Sequence, residues 1–176
     1  MQTKQKPLIL TLRLDAQSQI FFDELRRRYF PPERNYLKAH LTLFHQLPNE
    51  ATTRQCLNEV CQQPFEMEVT GLRHLGAGVA YELISAELLA LHRNLSIRFQ
   101  EVLTAQDRQG FKPHITVQNK VTVEASKALL DELSQRFQPF AVQATGLDLW
   151  EYQGGPWRHS DFYKFKIKRE LDLPQM

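Results

Sequence analysis

Apolar residues recur at every second position in some stretches and at every third or fourth in others, and these two periods divide the chain into strands and helices. Residues 8–14 (LILTLRL) read as a strand. Residues 16–30 (AQSQIFFDELRRRYF) read as a helix closed by Pro31 and Pro32, whose rings cannot continue it. The apolar run around HLTLF is too short for a helix and suits a strand. Residues 50–63 are helical and end at Pro64; strands follow at 65–74 and 79–85, joined by the glycine turn Gly76–Gly78 as an antiparallel hairpin. The longest helix spans 86–105 and leads through Asp107–Pro113 into a strand, HITVQNKV. A helix over 124–138 and strands near 140–151 and 161–168 complete the chain.

The pattern repeats. Pro-Phe, four residues, then Thr-Gly-Leu occurs at Pro64–Leu72 and again at Pro139–Leu147. Upstream of each copy, by 24 or 25 residues, stands His-Leu-Thr-Leu (His40–Leu43) or His-Ile-Thr-Val (His114–Val117). Each copy therefore runs HxTx strand, helix, Pro-Phe strand, second strand, and each is too small to bury its own hydrophobic faces. Two lobes related by a pseudo-two-fold axis follow, α+β in class with mainly antiparallel sheets. The chain is expected to form a single bilobal domain over 1–176, with repeats of about 1–85 and 86–176.

Composition adds limits. A hydrophobic fraction of 42% over 176 residues fills one ordinary core. The apolar run near the amino terminus is soon broken by Arg13 and Asp15, so neither a signal peptide nor a spanning helix is expected, and the cytoplasm is the default location. Cys56 and Cys61 suit neither a disulfide framework nor a four-ligand zinc site. A formal net charge of +2 permits an anionic ligand but falls short of the footprint of a duplex-binding protein.

Side chains alternate along a strand, so His40 and Thr42 share one face while Leu41 and Leu43 face the core; His114 and Thr116 repeat this against Ile115 and Val117. Facing lobes would converge two imidazoles and two hydroxyls on a cleft of phosphate size. Histidine, with an ordinary pKa of about 6.5, lets one copy take a proton while the other gives one. The threonine hydroxyls donate hydrogen bonds to non-bridging phosphate oxygens. That scheme needs no metal and no cofactor. A single HxTx is usually a satisfied core histidine beside a strand-favouring threonine, but packing alone has no reason to repeat a polar pair in register with a second motif.

The segments AHLTLFH, GAGVAYEL, FKPHITVQNKV and GGPW, with paired HxTx motifs, resemble the two-histidine (2H) phosphoesterase superfamily, which includes 2′-5′ RNA ligase and cyclic phosphodiesterase proteins. The resemblance spans nearly the whole chain. It implies a bilobal fold with antiparallel sheets around a central cleft and helices outside. It also implies action on 2′,3′-cyclic or 2′-5′ phosphodiesters of RNA or nucleotides, with His40, Thr42, His114 and Thr116 in the catalytic positions. Where some members carry an arginine shortly after the second motif, this chain has Gln118, Asn119 and Lys120.

Continued alternation puts Lys112, Gln118 and Lys120 on the His114 face, where a lysine would add positive charge, and Phe44 on the His40 face, where it would stack on a base. By the same count His45 falls on the opposite face and is excluded from catalysis. His74, His92 and His159 lack a paired threonine and read as structural or exposed. Tyr152, Trp157 and Arg158, around Gly154 and Gly155, form a loop that either caps the cleft or lets Trp157 plug the core. Lys164, Lys166 and Lys168 read as the wet face of an edge strand.

The expected function is thus metal-independent acid-base cleavage of a 2′,3′-cyclic phosphate or a 2′-5′ linkage, with RNA ligation as the reverse reaction. A non-catalytic RNA or nucleotide-phosphate binding protein is the alternative. A metallohydrolase is disfavoured because HxTx supplies one good ligand per motif, and a serine hydrolase because no GxSxG occurs. The partner is RNA or a nucleotide, no membrane is involved, and a monomer is the default oligomeric state.

Overall fold

The computed structural model of the chain describes residues 5–167. Among the described residues, seven strands and four α-helices run in the order β1 (Leu8–Leu14), α1 (Ala16–Tyr29), β2 (Leu41–Leu47), α2 (Ala51–Asn58), β3 (Phe65–His74), β4 (Val79–Ile84), α3 (Ala86–Arg98), β5 (His114–Gln118), α4 (Val123–Arg136), β6 (Phe140–Tyr152) and β7 (Trp157–Lys164). Three helices start on side-chain caps that the sequence supplies: Asp15 accepts from the Ser18 amide, Ser85 from Leu88 and Thr122 from Ala125. Each cap satisfies an amide that the first turn leaves without a partner.

These seven strands form one open, antiparallel sheet of order β2-β1-β6-β3-β4-β5, and β7 pairs with the outer half of β6. The order reads the same from either end. An HxTx strand is outermost, the strand that precedes it in the chain comes next (β1 beside β2, β4 beside β5), and the Pro-Phe strand of the other unit is third, so β4 belongs with the second unit and not with residues 1–85 as expected. The two halves thus exchange their Pro-Phe strands, β6 pairing with β1 and β3 with β4. The sheet bends until its outermost strands, β2 and β5, approach each other.

The core lies between the sheet and its helices. Leu88, Leu91 and Leu95 give α3 its buried stripe, and Phe22 gives α1 its anchor. Each such side chain contributes about 1.5–3 kcal/mol on burial. Gly146, in the second Thr-Gly-Leu, is required by packing: a Cβ there would stand 2.6 Å from the Tyr163 carbonyl oxygen of β7. Gly71, its counterpart in the first copy, meets no such neighbour.

Three elements end or begin elsewhere than expected. Helix α2 stops at Asn58 rather than 63, because the chain straightens at Val60 to deliver Phe65 to β3. Helix α3 stops at Arg98 rather than 105. The following residues turn so that the Asp107 carboxylate accepts the His45 and Gln46 amides at the end of β2, and these tertiary bonds outweigh weak local propensity. Strand β7 starts at Trp157 and ends at Lys164 instead of covering 161–168. A tight Gly154–Gly155 turn, closed by Gln153 N–H donating to the Pro156 carbonyl, brings Trp157 and Arg158 into the sheet opposite Tyr152 and Glu151. Lys166 lies past the strand and Lys168 lies outside the described residues. No described helix is long and apolar enough to cross a membrane.

Candidate active site

His40 stands immediately before β2 and His114 opens β5, and the two strands bring them with Thr42 and Thr116 to the wall of one cavity of about 460 Å³. The two imidazoles are held alike. His40 Nδ1 lies 2.8 Å from the Lys38 carbonyl oxygen, and His114 Nδ1 lies 2.8 Å from that of Lys112. A carbonyl oxygen only accepts, so Nδ1 carries the proton in both neutral rings and Nε2 is the atom left for chemistry. Burial pushes His40 down to about 4, opposed by the Lys38 carbonyl and reinforced by the charges of Arg26, His114 and His45. Burial also lowers His114, opposed by the Lys112 carbonyl and reinforced by Arg73.

Strict alternation ends at the threonine of each motif. Between Thr11↔Thr42 and Leu10↔Phe44, strand β2 advances two residues while β1 advances one; between Ala80↔Thr116 and Val79↔Gln118, β5 does the same against β4. Each HxTx strand therefore carries a β-bulge just after its threonine, which reverses the facing of the residues beyond it.

Four expectations are corrected beyond these bulges. Phe44 is fully buried, stacked on His92 at 4.8 Å and edge-on to Phe99, and offers no face to a base in the cleft. Gln118 is buried and does not line the cavity, and the positive φ of Lys120 carries it away from the wall. His45, excluded by simple alternation, and Asn119 line the cavity instead. Lys112 lines it as expected. His92, read as structural, also reaches the cavity, sandwiched between Phe44 and Phe111, whose ring is 3.8 Å away and nearly parallel.

The cavity also contains Arg73, which lies outside both sequence motifs. Arg73 pairs across Ala80 to Thr116, and Gly71 pairs across Glu82 to His114, so all share one sheet face. The equivalent positions in the other half are Asp148 opposite Thr11 and Thr42, and Gly146 opposite Arg13. Each lobe thus holds an arginine-carboxylate pair, Arg73–Glu82 between β3 and β4 at 3.2 Å and Arg13–Asp148 between β1 and β6 at 2.5 Å, with the strands carrying cation and anion interchanged. The interchange is what gives this cavity a guanidinium. Reading the residue after each Thr-Gly-Leu would have found it. Arg73 also donates to the Lys112 carbonyl, which holds His114 as well.

A second, more apolar cavity of about 810 Å³ adjoins the first at His40. Trp157 lines this second cavity beside His40, its ring 4.6 Å from that of His40 and 6.2 Å from that of Trp150. Trp150 is fixed by its indole N–H, which donates to the Thr11 hydroxyl at 2.9 Å. Tyr36 and Phe162 add exposed rings to this wall, and Lys38 and Lys164 add charge. Among the described residues no three His, Cys, Asp or Glu side chains converge as metal ligands.

The sequence model of the 2′-5′ RNA ligase superfamily matches residues 14–156. Three solved structures share the fold. TT0787 of Thermus thermophilus is 16% identical, with a TM-score of 0.62 over 90% of this chain and 97% of that one. A protein described as a phosphoesterase is 17% identical, with a TM-score of 0.64 over 93% and 99%. E. coli LigT complexed with 3′-AMP is 17% identical, with a TM-score of 0.59 over 93% and 99%, and LigT has also been solved with NADP+ and with ATP. No curated protein sequence matches the chain.

Proposed function

The chain belongs to the 2′-5′ RNA ligase superfamily of two-histidine phosphoesterases, and from that premise we propose that it hydrolyses 2′,3′-cyclic phosphate or 2′-5′ phosphodiester bonds of RNA or nucleotides without a metal. The observation that carries this reading is the matched pair of imidazoles, each presenting Nε2 to one cavity through the same Nδ1-to-carbonyl bond.

Roles follow from the unequal environments. His40 holds its proton least and is the base; His114, less depressed, is the acid. In hydrolysis of a cyclic phosphate, His40 Nε2 takes a proton from water as its oxygen bonds to phosphorus. The bond from phosphorus to one ribose oxygen breaks, and His114 Nε2 gives that oxygen its proton. The product is a phosphomonoester, and proton exchange with solvent restores both rings. Ligation follows the same steps with the 5′-hydroxyl of a second strand in place of water: its oxygen bonds to phosphorus, the 3′-oxygen leaves with the proton from His114, and a 2′-5′ phosphodiester results. Thr42 and Thr116 donate to the non-bridging oxygens, and Arg73 offsets the charge that grows on them.

Nucleotide substrates are supported by the aromatic cavity beside His40, where a base can stack on Trp157, and by the nucleotides that the similarly folded LigT holds. Both motifs come from one chain, so a monomer suffices. A cytoplasmic location suits such a substrate.

The test is hydrolysis of 2′,3′-cyclic nucleotides and short cyclic-phosphate-ended RNA, in chelator, by the intact protein and by His40→Ala and His114→Ala. Losses of at least about 10²-fold in kcat for both variants are expected for an acid-base pair. Tight RNA binding without turnover, unaffected by either change, would establish the binding protein instead.

A further inference from the structure

A third imidazole faces the cavity, and it is held differently from the other two. His45 Nδ1 lies 2.9 Å from an oxygen of Asp107, whose side chain is only 1% exposed, while His45 itself is half open to the cavity. The same carboxylate accepts the backbone amides of His45 at 2.9 Å and Gln46 at 3.0 Å. These bonds, His45 first, hold Asp107 below the usual carboxylate range against the opposing effect of burial, so it is ionised. The carboxylate fixes the His45 ring through Nδ1, where neutral carbonyls hold the rings of His40 and His114.

Among the described residues Asp107 is the only carboxylate lining the cavity, and its oxygens are taken up by His45 and the β2 amides. Arg73 and Lys112 line the same cavity, and both His45 and Arg73 act electrostatically on His114. With Arg73, paired to Glu82, serving the reacting phosphate, His45 and Lys112 remain on the cavity wall to hold a second anion. The cavity volume is also in the ~300–1,000 Å³ range of sites for whole small molecules rather than single ions.

We propose that His45, braced by Asp107 and working with Lys112, binds a second phosphate next to the reacting one, so that the preferred substrate is an RNA end or a nucleotide with a further phosphate rather than a nucleoside carrying only the cyclic group. This rests on the phosphoesterase reading above and specifies its substrate.

Two substrates differing in one phosphate test it: adenosine 2′,3′-cyclic phosphate and its 5′-phosphorylated form. The intact protein is expected to favour the second by about tenfold or more in kcat/KM, mostly through KM, with the preference shrinking as salt rises. His45→Gln and Asp107→Asn are expected to erase the preference, and His45→Lys, which supplies a cation at that position, to restore part of it; a purely structural tie between Asp107 and β2 predicts no such rescue. Equal kcat/KM for both substrates in the intact protein, or a preference unchanged in His45→Gln, overturns the proposal. If neither substrate is hydrolysed, calorimetry with adenosine 3′,5′-bisphosphate and 3′-AMP decides separately. Tighter bisphosphate binding that depends on His45 supports the second subsite and counts against turnover alone, whereas equal affinities overturn the subsite.

Discussion

The guanidinium of Arg26, buried on α1, donates to the backbone carbonyl of Thr116 on β5 at 3.1 Å, so a helix that follows the first strand holds the second HxTx motif in place. Its Nε donates to Asn35, and its plane lies over the Phe30 ring at 4.1 Å. Burial draws Arg26 down to about 10, opposed by nearby Asp23, which leaves it cationic at any working pH. Replacing it with Met keeps the stem but leaves the Thr116 carbonyl and Asn35 without their donor. A loss of roughly 2–4 kcal/mol is expected by chemical denaturation. At permissive temperature kcat is expected to fall while the acid-base pH profile keeps its shape, because the two imidazoles are displaced rather than removed.

The pH profile is itself a prediction. In the proposed mechanism turnover needs His40 deprotonated and His114 protonated, and both are lowered, His40 to about 4. For the free protein kcat/KM is therefore expected to peak between 4 and the ordinary histidine value of 6.5, and to fall about tenfold per unit at higher pH as the acid form is lost. The same shift acts on stability with a definite sign. Below 6.5 the unfolded chain binds the His40 proton more readily than the folded one, so stability is full above that pH and declines as pH falls towards 4. His40→Gln is expected to flatten this decline in acid melting curves; an unchanged slope would mean that the ring is not buried as described.

Much of this was legible in the sequence, and the failures share a cause. The duplicated HxTx and Pro-Phe…Thr-Gly-Leu motifs located the two imidazoles and predicted that the halves face each other. Beyond Thr42 and Thr116 the period-two count misplaced Phe44, Gln118, Lys120 and His45, because a bulge adds one residue to each strand. Neither bulge is marked by a glycine; Leu43 and Val117 occupy the extra positions and read as ordinary strand residues. The His45–Asp107 pair joins residues from β2 and from the turn after α3, and no local pattern connects them. Arg73 was within reach, since the repeat aligns it with Asp148, but a motif search stops at the residues that match.

Arg73 then carries a prediction of its own. It is the guanidinium of the cavity, yet its Nε, within 3.2 Å of Glu82, lacks an aligned hydrogen bond. A phosphate is a better-shaped partner for that fork than a single misaligned carboxylate oxygen. Arg73→Lys is expected to retain part of the rate and Arg73→Ala to lose about 10²-fold in kcat/KM, the size typical of removing one transition-state donor. Glu82→Gln, which frees the guanidinium further, is expected to lower KM; a rise in KM would show that Glu82 orients Arg73 rather than competing for it.

Trp157 tests how the aromatic cavity and the reaction centre communicate. Its ring packs against His40 at 4.6 Å and keeps water from that side of the imidazole, which contributes to the depression of His40. Trp157→Ala opens that side. The His40 pKa then moves back towards 6.5, so the acid limb of the kcat/KM profile is expected to shift to higher pH. The same change removes the surface on which a base would stack, worth about 1–3 kcal/mol for an aromatic-base contact, so KM for a cyclic nucleotide should rise about five- to a hundred-fold. Trp157→Phe separates the two effects. It restores most of the shielding of His40, and with it the position of the acid limb, but less of the stacking area, so KM should recover only partly. If Trp157→Ala moves the acid limb and leaves KM alone, the ring serves the base and the nucleoside lies elsewhere; if KM rises and the limb stays, the depth of His40 comes from the protein beneath it.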